Sequence, residues 1–300
     1  MIDRLVERIQ ELGAPICVGL DPRLDMIPEC VKSDIYAAFG KTPAAAAKIF
    51  FAFNKEIIDN ICSLVPAVKP QVAFYEQLGA EGIRCYIDTV NYAKSKGLIV
   101  IGDVKRGDIA ATAEAYSSGH LGRTDIEGKP FEIFGTDFIT VNPYIGFDSI
   151  NPFLADCAAY NRGLFVLVKT SNPNSCIQNI PAADGRPVYA SVGDLVSKWG
   201  QDYIGQRGFS RIGAVVGATY PAEGVALRKA MPHTFFLAPG YGVQGAQAQD
   251  LRGLFTSNGE GVIINSSRGI ISGAVKSGRD FGAAAAAAVL AMKKDLAENV

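Results

Sequence analysis

Short runs of β-branched and apolar residues recur along the chain, each closing on glycine or on polar residues. They predict strands over Ile16–Leu20, Val65–Lys69, Leu98–Asp103, Phe138–Asn142, Gly163–Lys169, Ile212–Gly217, Thr234–Ala238 and Gly261–Asn265. The apolar positions within each run are continuous rather than alternating, which marks strands buried on both faces, as in a parallel sheet. Segments with helical spacing lie between most of them: Ala44–Cys62, Ala80–Lys96, Ile150–Tyr160, Gly193–Gly205, Pro221–Met231 and Gly245–Phe255, with an alanine-rich last helix around Gly282–Met292. Strands that alternate with helices are βαβ units. Such a series over 300 residues predicts one (β/α)8 TIM barrel, a single domain spanning 1–300. An open doubly wound sheet is the alternative. Two connections are long, Asp21–Pro43 after the first strand and Ser171–Val192 after the fifth. The second is rich in Pro, Asn, Ser and Gly and should be irregular. Both leave the C-terminal ends of strands, where barrel enzymes build their active sites, and loops of such length usually serve as lids.

Composition narrows the function classes. Hydrophobic residues make up 48% of the chain, enough for a large core. The 29 Lys and Arg nearly balance the 30 Asp and Glu, and no basic block exceeds a pair, so nucleic acid is not an expected partner. The six cysteines show no C-x-x-C and no regular spacing, which argues against a zinc site or a disulfide framework. Scattered cysteines of this kind suit a reducing, cytoplasmic setting. The start of the chain lacks the basic-then-apolar layout of a signal peptide, and the apolar run Ala283–Met292 is too short to span a bilayer, so no membrane association is expected. With two histidines, His120 and His233, acid–base chemistry falls to Lys, Asp or Glu.

Charged residues cluster where the strands end. The first strand ends at Asp21, the second at Lys69, and the third in Gly102-Asp-Val-Lys-Arg-Gly-Asp-Ile-Ala-Ala-Thr112. A barrel gathers these ends around one axis. Asp103 and Lys105 are two apart and face the same side of an extended segment, the barrel mouth if Val104 packs outward. Charges can merely solvate loop ends. Three successive strands ending in Asp, Lys and Asp-x-Lys point instead to chemistry at the mouth.

The run Asp103-Val-Lys105-Arg-Gly-Asp108-Ile109, followed by Thr112, resembles the D-x-K-x-x-D-I signature of the orotidine 5′-phosphate decarboxylase family, in its longer bacterial branch. The resemblance extends from Asp21 to Arg268. It implies a cofactor-independent, metal-free decarboxylation of orotidine 5′-monophosphate to UMP and CO2 in pyrimidine biosynthesis. It implies an alternating Lys-Asp-Lys-Asp array of Lys69, Asp103, Lys105 and Asp108. It implies a homodimer in which Asp108 and Thr112 serve the partner's site, Thr112 near the ribose. Asp21 matches the residue that binds a ribose hydroxyl.

Two glycine-rich stretches, Ala238-Pro-Gly-Tyr-Gly-Val-Gln-Gly245 and Asn265-Ser-Ser-Arg-Gly269, follow the seventh and eighth strands, where barrels often hold phosphate. Glycines let backbone N–H groups approach phosphate oxygens, and a guanidinium offers a fixed fork for two of them. The resemblance makes Gln244 and Arg268 the phosphate ligands. It makes Ser171, in Lys169-Thr-Ser-Asn-Pro-Asn174, the contact to the base, with Thr170 nearly as good; Asn142 and Tyr241 are further candidates. Lys105 would then stabilise and protonate a carbanion at C6, with Asp103 beside the departing carboxylate. Two rival functions remain. A Mg²⁺-dependent sugar-phosphate aldolase or decarboxylase barrel would want an acidic metal ligand where this chain has Lys69. A non-catalytic phosphate-ligand sensor would have no use for a charged array.

Overall fold

In the computed structural model, which describes residues 1–242, 245–272 and 278–300, the apolar runs form a closed parallel barrel. Its strands are β1 (Ile16–Leu20), β2 (Ala67–Pro70), β3 (Ile99–Arg106), β6 (Phe138–Val141), β7 (Gly163–Lys169), β8 (Ser210–Val216), β9 (Thr234–Pro239) and β10 (Val262–Ser266). The order around the barrel is β1-β10-β9-β8-β7-β6-β3-β2, which excludes the open sheet. An exposed antiparallel hairpin, β4 (Thr124–Ile126) and β5 (Lys129–Phe131), interrupts the crossover between β3 and β6; its three-residue strands are too short for a periodicity to register.

Alternation along each strand divides the core in two. Cys17, Ala67, Ile99, Ile101, Phe138, Phe165, Phe235 and Ile263 pack inside the barrel, with the Phe138 and Phe165 rings 5.2 Å apart. The intervening residues, such as Val18, Val68, Val100, Val104, Val166 and Ile264, belong to the layer between strands and helices. Val104 does pack outward, as the placement of Asp103 and Lys105 at the mouth requires. The N-terminal helix Ile2–Leu12 closes the opposite end through Ile2, Leu5 and Val6, and it stops at Gly13 in the left-handed region.

The helix Pro43–Ile61 begins with Pro43 in its first turn and with the Thr42 hydroxyl accepting from the Ala45 N–H at 3.1 Å. Phe53 on that helix stacks on Phe281, which opens the C-terminal helix Phe281–Asn299; this helix extends past both ends of the expected Gly282–Met292. Among the described residues no helix is long and apolar enough to cross a membrane.

Three expectations need correction. The first long connection is not simply a loop: it carries a 3-10 turn, Leu24–Met26, and the helix Glu29–Phe39. The helix expected at Gly193–Gly205 starts earlier, at Val188 after Pro187, and ends at Trp199, because proline starts helices well and Gly200 and the turn Gln201–Tyr203 end it. Of the Gly245–Phe255 segment only Ala248–Leu251 is α-helical, with a 3-10 turn after it. The second long connection also holds a one-turn helix, Cys176–Asn179, inside otherwise irregular chain.

Candidate active site

The inward positions nearest the C-terminal ends of β2, β3, β6 and β10 are polar, and together with Leu167, Val215 and Leu237 they line a cleft of about 300 Å³ at the barrel mouth. Lys69 of β2 and Asp103 and Lys105 of β3 meet there. Lys69 Nζ donates to Asp103 Oδ2 at 2.7 Å, and Lys105 Nζ donates to Asp103 Oδ1 at 2.5 Å. Lys69 and Asp103 are 5% and 7% exposed, whereas the Lys105 side chain is 46% exposed and reaches into the open cleft. Burial acts to raise the Asp103 carboxyl, but the charges and hydrogen bonds of Lys69 and Lys105 outweigh it and hold the group well below the usual carboxylate range. Burial acts to lower the Lys69 ammonium, and Asp103 and Asp21 outweigh that in turn, so the group is held above its ordinary value. Asp103 and Lys69 are therefore both charged across the neutral pH range.

Thr140, a polar residue within β6, fixes this geometry. Its hydroxyl donates to Asp103 Oδ1 at 2.9 Å and accepts from the backbone N–H groups of Val104 and Lys105, each at 3.0 Å. Lys105 has a φ of 45°, a left-handed conformation that costs a lysine about 1–2 kcal/mol. The register of β3 against β6 shifts at the same place. The Thr140 contact therefore holds a strained turn that aims the lysine.

A second cavity of about 260 Å³ continues from the first, sharing Asp21, Pro239, Asn265 and Ser267 with it. Arg268, Gly269, Gly240 and Tyr241 line its far end. Arg268 has no ion pair among the described residues, so its guanidinium remains available to an anion. Asp21 lies between the two cavities, with a buried Oδ1 that has no hydrogen-bond partner among the described residues; the same holds for Asn265 Oδ1. Both oxygens are acceptors that await donors from a ligand. Close approach here depends on Gly19: a Cβ on it would fall 1.8 Å from Ser267 Oγ.

Of the residues expected from sequence, the structure brings Asp21, Lys69, Asp103, Lys105, Thr170, Ser171 and Arg268 to this cleft. Gln244 lies outside the described residues. Asn142 does not line the cleft; its Oδ1 accepts from the Tyr144 N–H at 3.0 Å, a turn role. Tyr241 lines the Arg268 end, with its hydroxyl donating to Asp295 at 2.5 Å. Asp108 and Thr112 do not line this cleft; Asp108 Oδ1 accepts from the Ile109 N–H, and Thr112 is exposed. His120 is buried and stacks on Phe134, and burial pushes its imidazole down to about 3, while His233 is exposed. Sequence reasoning missed Thr140 and the side chain of Asn265. A threonine or asparagine at an inward position of an otherwise apolar run was the available signal.

A closed βα barrel with ionised residues at the C-terminal strand ends, and at the far side a guanidinium without an ion pair among the described residues, defines a barrel of the enzyme type. A model of the orotidine 5′-phosphate decarboxylase / HUMPS family matches residues 14–277, and the chain belongs to that family. An orotidine 5′-phosphate decarboxylase of Rhodopirellula baltica is 44% identical over 263 residues, covering 88% of this chain and 85% of that protein. One of Clostridium tetani is 41% identical over 303 residues, covering 100% and 99%. The solved structure of the Leishmania donovani OMP decarboxylase superposes with a TM-score of 0.73 at 30% identity, covering 98% of each chain.

Proposed function

We propose that this protein is the carboxy-lyase that converts orotidine 5′-monophosphate to UMP and CO2 in pyrimidine biosynthesis. The observation that carries the reading is the Lys69–Asp103–Lys105 chain of charge-assisted hydrogen bonds at one end of a cleft whose other end holds Arg268, which has no ion pair among the described residues. The likeness to decarboxylases along the whole chain supports it.

The phosphate binds at Arg268 and the glycine-rich segments, and the ribose lies by Asp21. The C6 carboxylate comes to rest beside Asp103. The bond from C6 to the carboxylate carbon breaks, its electron pair stays on C6, and CO2 leaves. The Lys105 ammonium stabilises the developing carbanion and then gives it a proton. Two like charges 4 Å apart repel by about 4 kcal/mol at an effective dielectric near 20, and CO2 departure relieves this at Asp103. The pre-set ammonium is the larger effect, because it needs no reorganisation as the charge forms. Binding of the distant phosphate contributes by closing the loops and expelling water. No step calls for a metal or cofactor, and where a Mg²⁺-dependent relative would want an acidic ligand this chain places the Lys69 ammonium, hydrogen-bonded to Asp103.

The working unit is a homodimer in which Asp108 completes the partner's array and Thr112 approaches the partner's ribose. The surface around Asp108 supports this. Ile109 is exposed there, and the neighbouring segment after β6 exposes Ile145, Phe147 and Tyr144, the last at 83%. The two segments touch, since Asn142 N–H donates to Arg106 O at 2.8 Å. An apolar patch beside a carboxylate that is absent from its own cleft fits a subunit contact. The free cysteines fit the cytoplasm.

The test is spectrophotometric loss of orotidine 5′-monophosphate with EDTA present. Wild-type protein should turn over and Lys105→Ala should bind UMP yet lose at least about 10³-fold in kcat. Near-wild-type turnover by Lys105→Ala would remove the proton-donor role.

A further inference from the structure

Lys169, the last residue of β7, is a fully buried lysine that the proposed chemistry does not use. The register of β7 against β8 shifts between Leu167 and Lys169. Leu167 lines the cleft and Lys169 does not, so the irregularity turns the lysine beneath the long loop that follows. Its Nζ donates to Asn179 Oδ1 at 2.7 Å and to Ser175 Oγ at 3.4 Å, both in that loop. The ammonium also lies over the Tyr220 ring at 4.3 Å and the Tyr189 ring at 5.1 Å. It has no carboxylate partner within ion-pair distance among the described residues; Glu223 acts on it only from further off, and burial lowers its pKa. An apolar side chain would fill this space at less electrostatic cost, so the charge points to a role beyond packing.

What the ammonium holds is the back of the cleft. Thr170, Ser171 and Asn172 line the cavity opposite the charged array. Gln178, one residue before Asn179, accepts from the Thr170 N–H at 3.0 Å and donates to the Thr170 hydroxyl at 2.7 Å. Tyr220, whose ring covers the ammonium, donates its hydroxyl to Asn172 O at 3.0 Å, and Thr219 Oγ1 donates to Ser171 O at 3.1 Å. Tyr220 thus both covers the ammonium and holds Asn172, and the Asn179 that the ammonium binds adjoins the Gln178 that holds Thr170.

We propose that Lys169 is a positioning residue whose ammonium pins the loop after β7 so that Thr170–Asn172 presents its polar groups to the heterocyclic base of the ligand. The inference rests on the nucleotide reading above and adds that base recognition is separable from phosphate recognition and depends on a cation outside the cleft.

The experiment measures calorimetric affinity for UMP and for ribose 5-phosphate, which lacks the base, together with kcat and KM. It uses wild type, Lys169→Met, Lys169→Arg and Asn179→Ala. Lys169→Met should weaken UMP by about 10-fold or more, the loss of a charge-assisted hydrogen bond, with ribose 5-phosphate changed by less than about twofold. The loss should fall on KM more than on kcat. Asn179→Ala should shift UMP in the same direction, and Lys169→Arg should recover part of the affinity. Asn179 is exposed, so its variant carries the test if Lys169→Met does not fold. Unchanged UMP affinity in the variants, or equal losses for both ligands, overturns the proposal. A wild-type protein that binds UMP no better than ribose 5-phosphate would instead sink the nucleotide reading beneath it.

Discussion

Lys69 and Asp103 come from adjacent barrel strands, 34 residues apart in the chain, and meet at 2.7 Å with both side chains more than nine-tenths buried. A buried ion pair of this kind is a poor source of net stability, because desolvating two charges offsets most of their attraction. Breaking it is another matter. Lys69→Met leaves Asp103 with Lys105 as its remaining charged partner and should destabilise the protein by on the order of 3 kcal/mol, read from urea unfolding. Combined with Asp103→Asn, the second substitution should cost much less than it does alone. Additive losses would show that the two side chains do not act as a unit.

The same pair fixes a pH dependence. Asp103 is held below its ordinary value of 3.8, so its contribution to stability is fully present above that value and is lost as pH falls toward the folded one. Lys69 is held above its ordinary 10.5, so its contribution is full below that value and is lost as pH rises through the folded one. The stability difference between wild type and Lys69→Met/Asp103→Asn should therefore be flat from about pH 5 to 10 and shrink by pH 3. Urea midpoints at pH 3 and pH 7 check this, and an unchanged difference would contradict the depressed Asp103.

Gly19 offers a test of the phosphate half. An alanine there places its Cβ 1.8 Å from Ser267 Oγ and 2.7 Å from Ser267 Cβ, so Ser267 must move, and Ser267 lines both cavities. A displacement near 1 Å in a positioning element can cost about 10²-fold in kcat/KM. Gly19→Ala should show a loss of that order, with weakened binding of ribose 5-phosphate. Retained affinity for that ligand would place phosphate recognition elsewhere.

Much of this was legible because the strands are buried on both faces. Continuous apolar runs such as Gly163–Lys169 located the strands to within three residues at each end, and the strand-end charges Lys69, Asp103 and Lys105 converge as the barrel requires. What stayed hidden depended on tertiary context. The helix Glu29–Phe39 has little amphipathic pattern and buries no residue fully. The role of Thr140 appears only when β6 lies beside β3, because its three hydrogen bonds all cross to that strand. The buried state of Lys169 could not be read from the last position of a strand run that leads into an irregular, polar loop.

The proposed homodimer predicts complementation between inactive variants. In that arrangement Lys105→Ala would lose its own proton donor, whereas Asp108→Ala would lose the carboxylate that serves the partner. In a heterodimer of the two, the Asp108→Ala subunit supplies Lys105 and the Lys105→Ala subunit supplies Asp108, so one site is intact and the other lacks both groups. Random reassortment of equal amounts makes half the dimers mixed, each with one working site, and the mixture should regain about a quarter of wild-type activity. Neither parent should approach that value. Thr112→Ala paired with Lys105→Ala should complement by the same logic, through KM rather than kcat if Thr112 meets the ribose. A mixture that reassorts but stays inactive would mean that Asp108 acts within its own subunit. That would require the segment after β3, where Ala110 has a φ of 48°, to refold toward its own cleft.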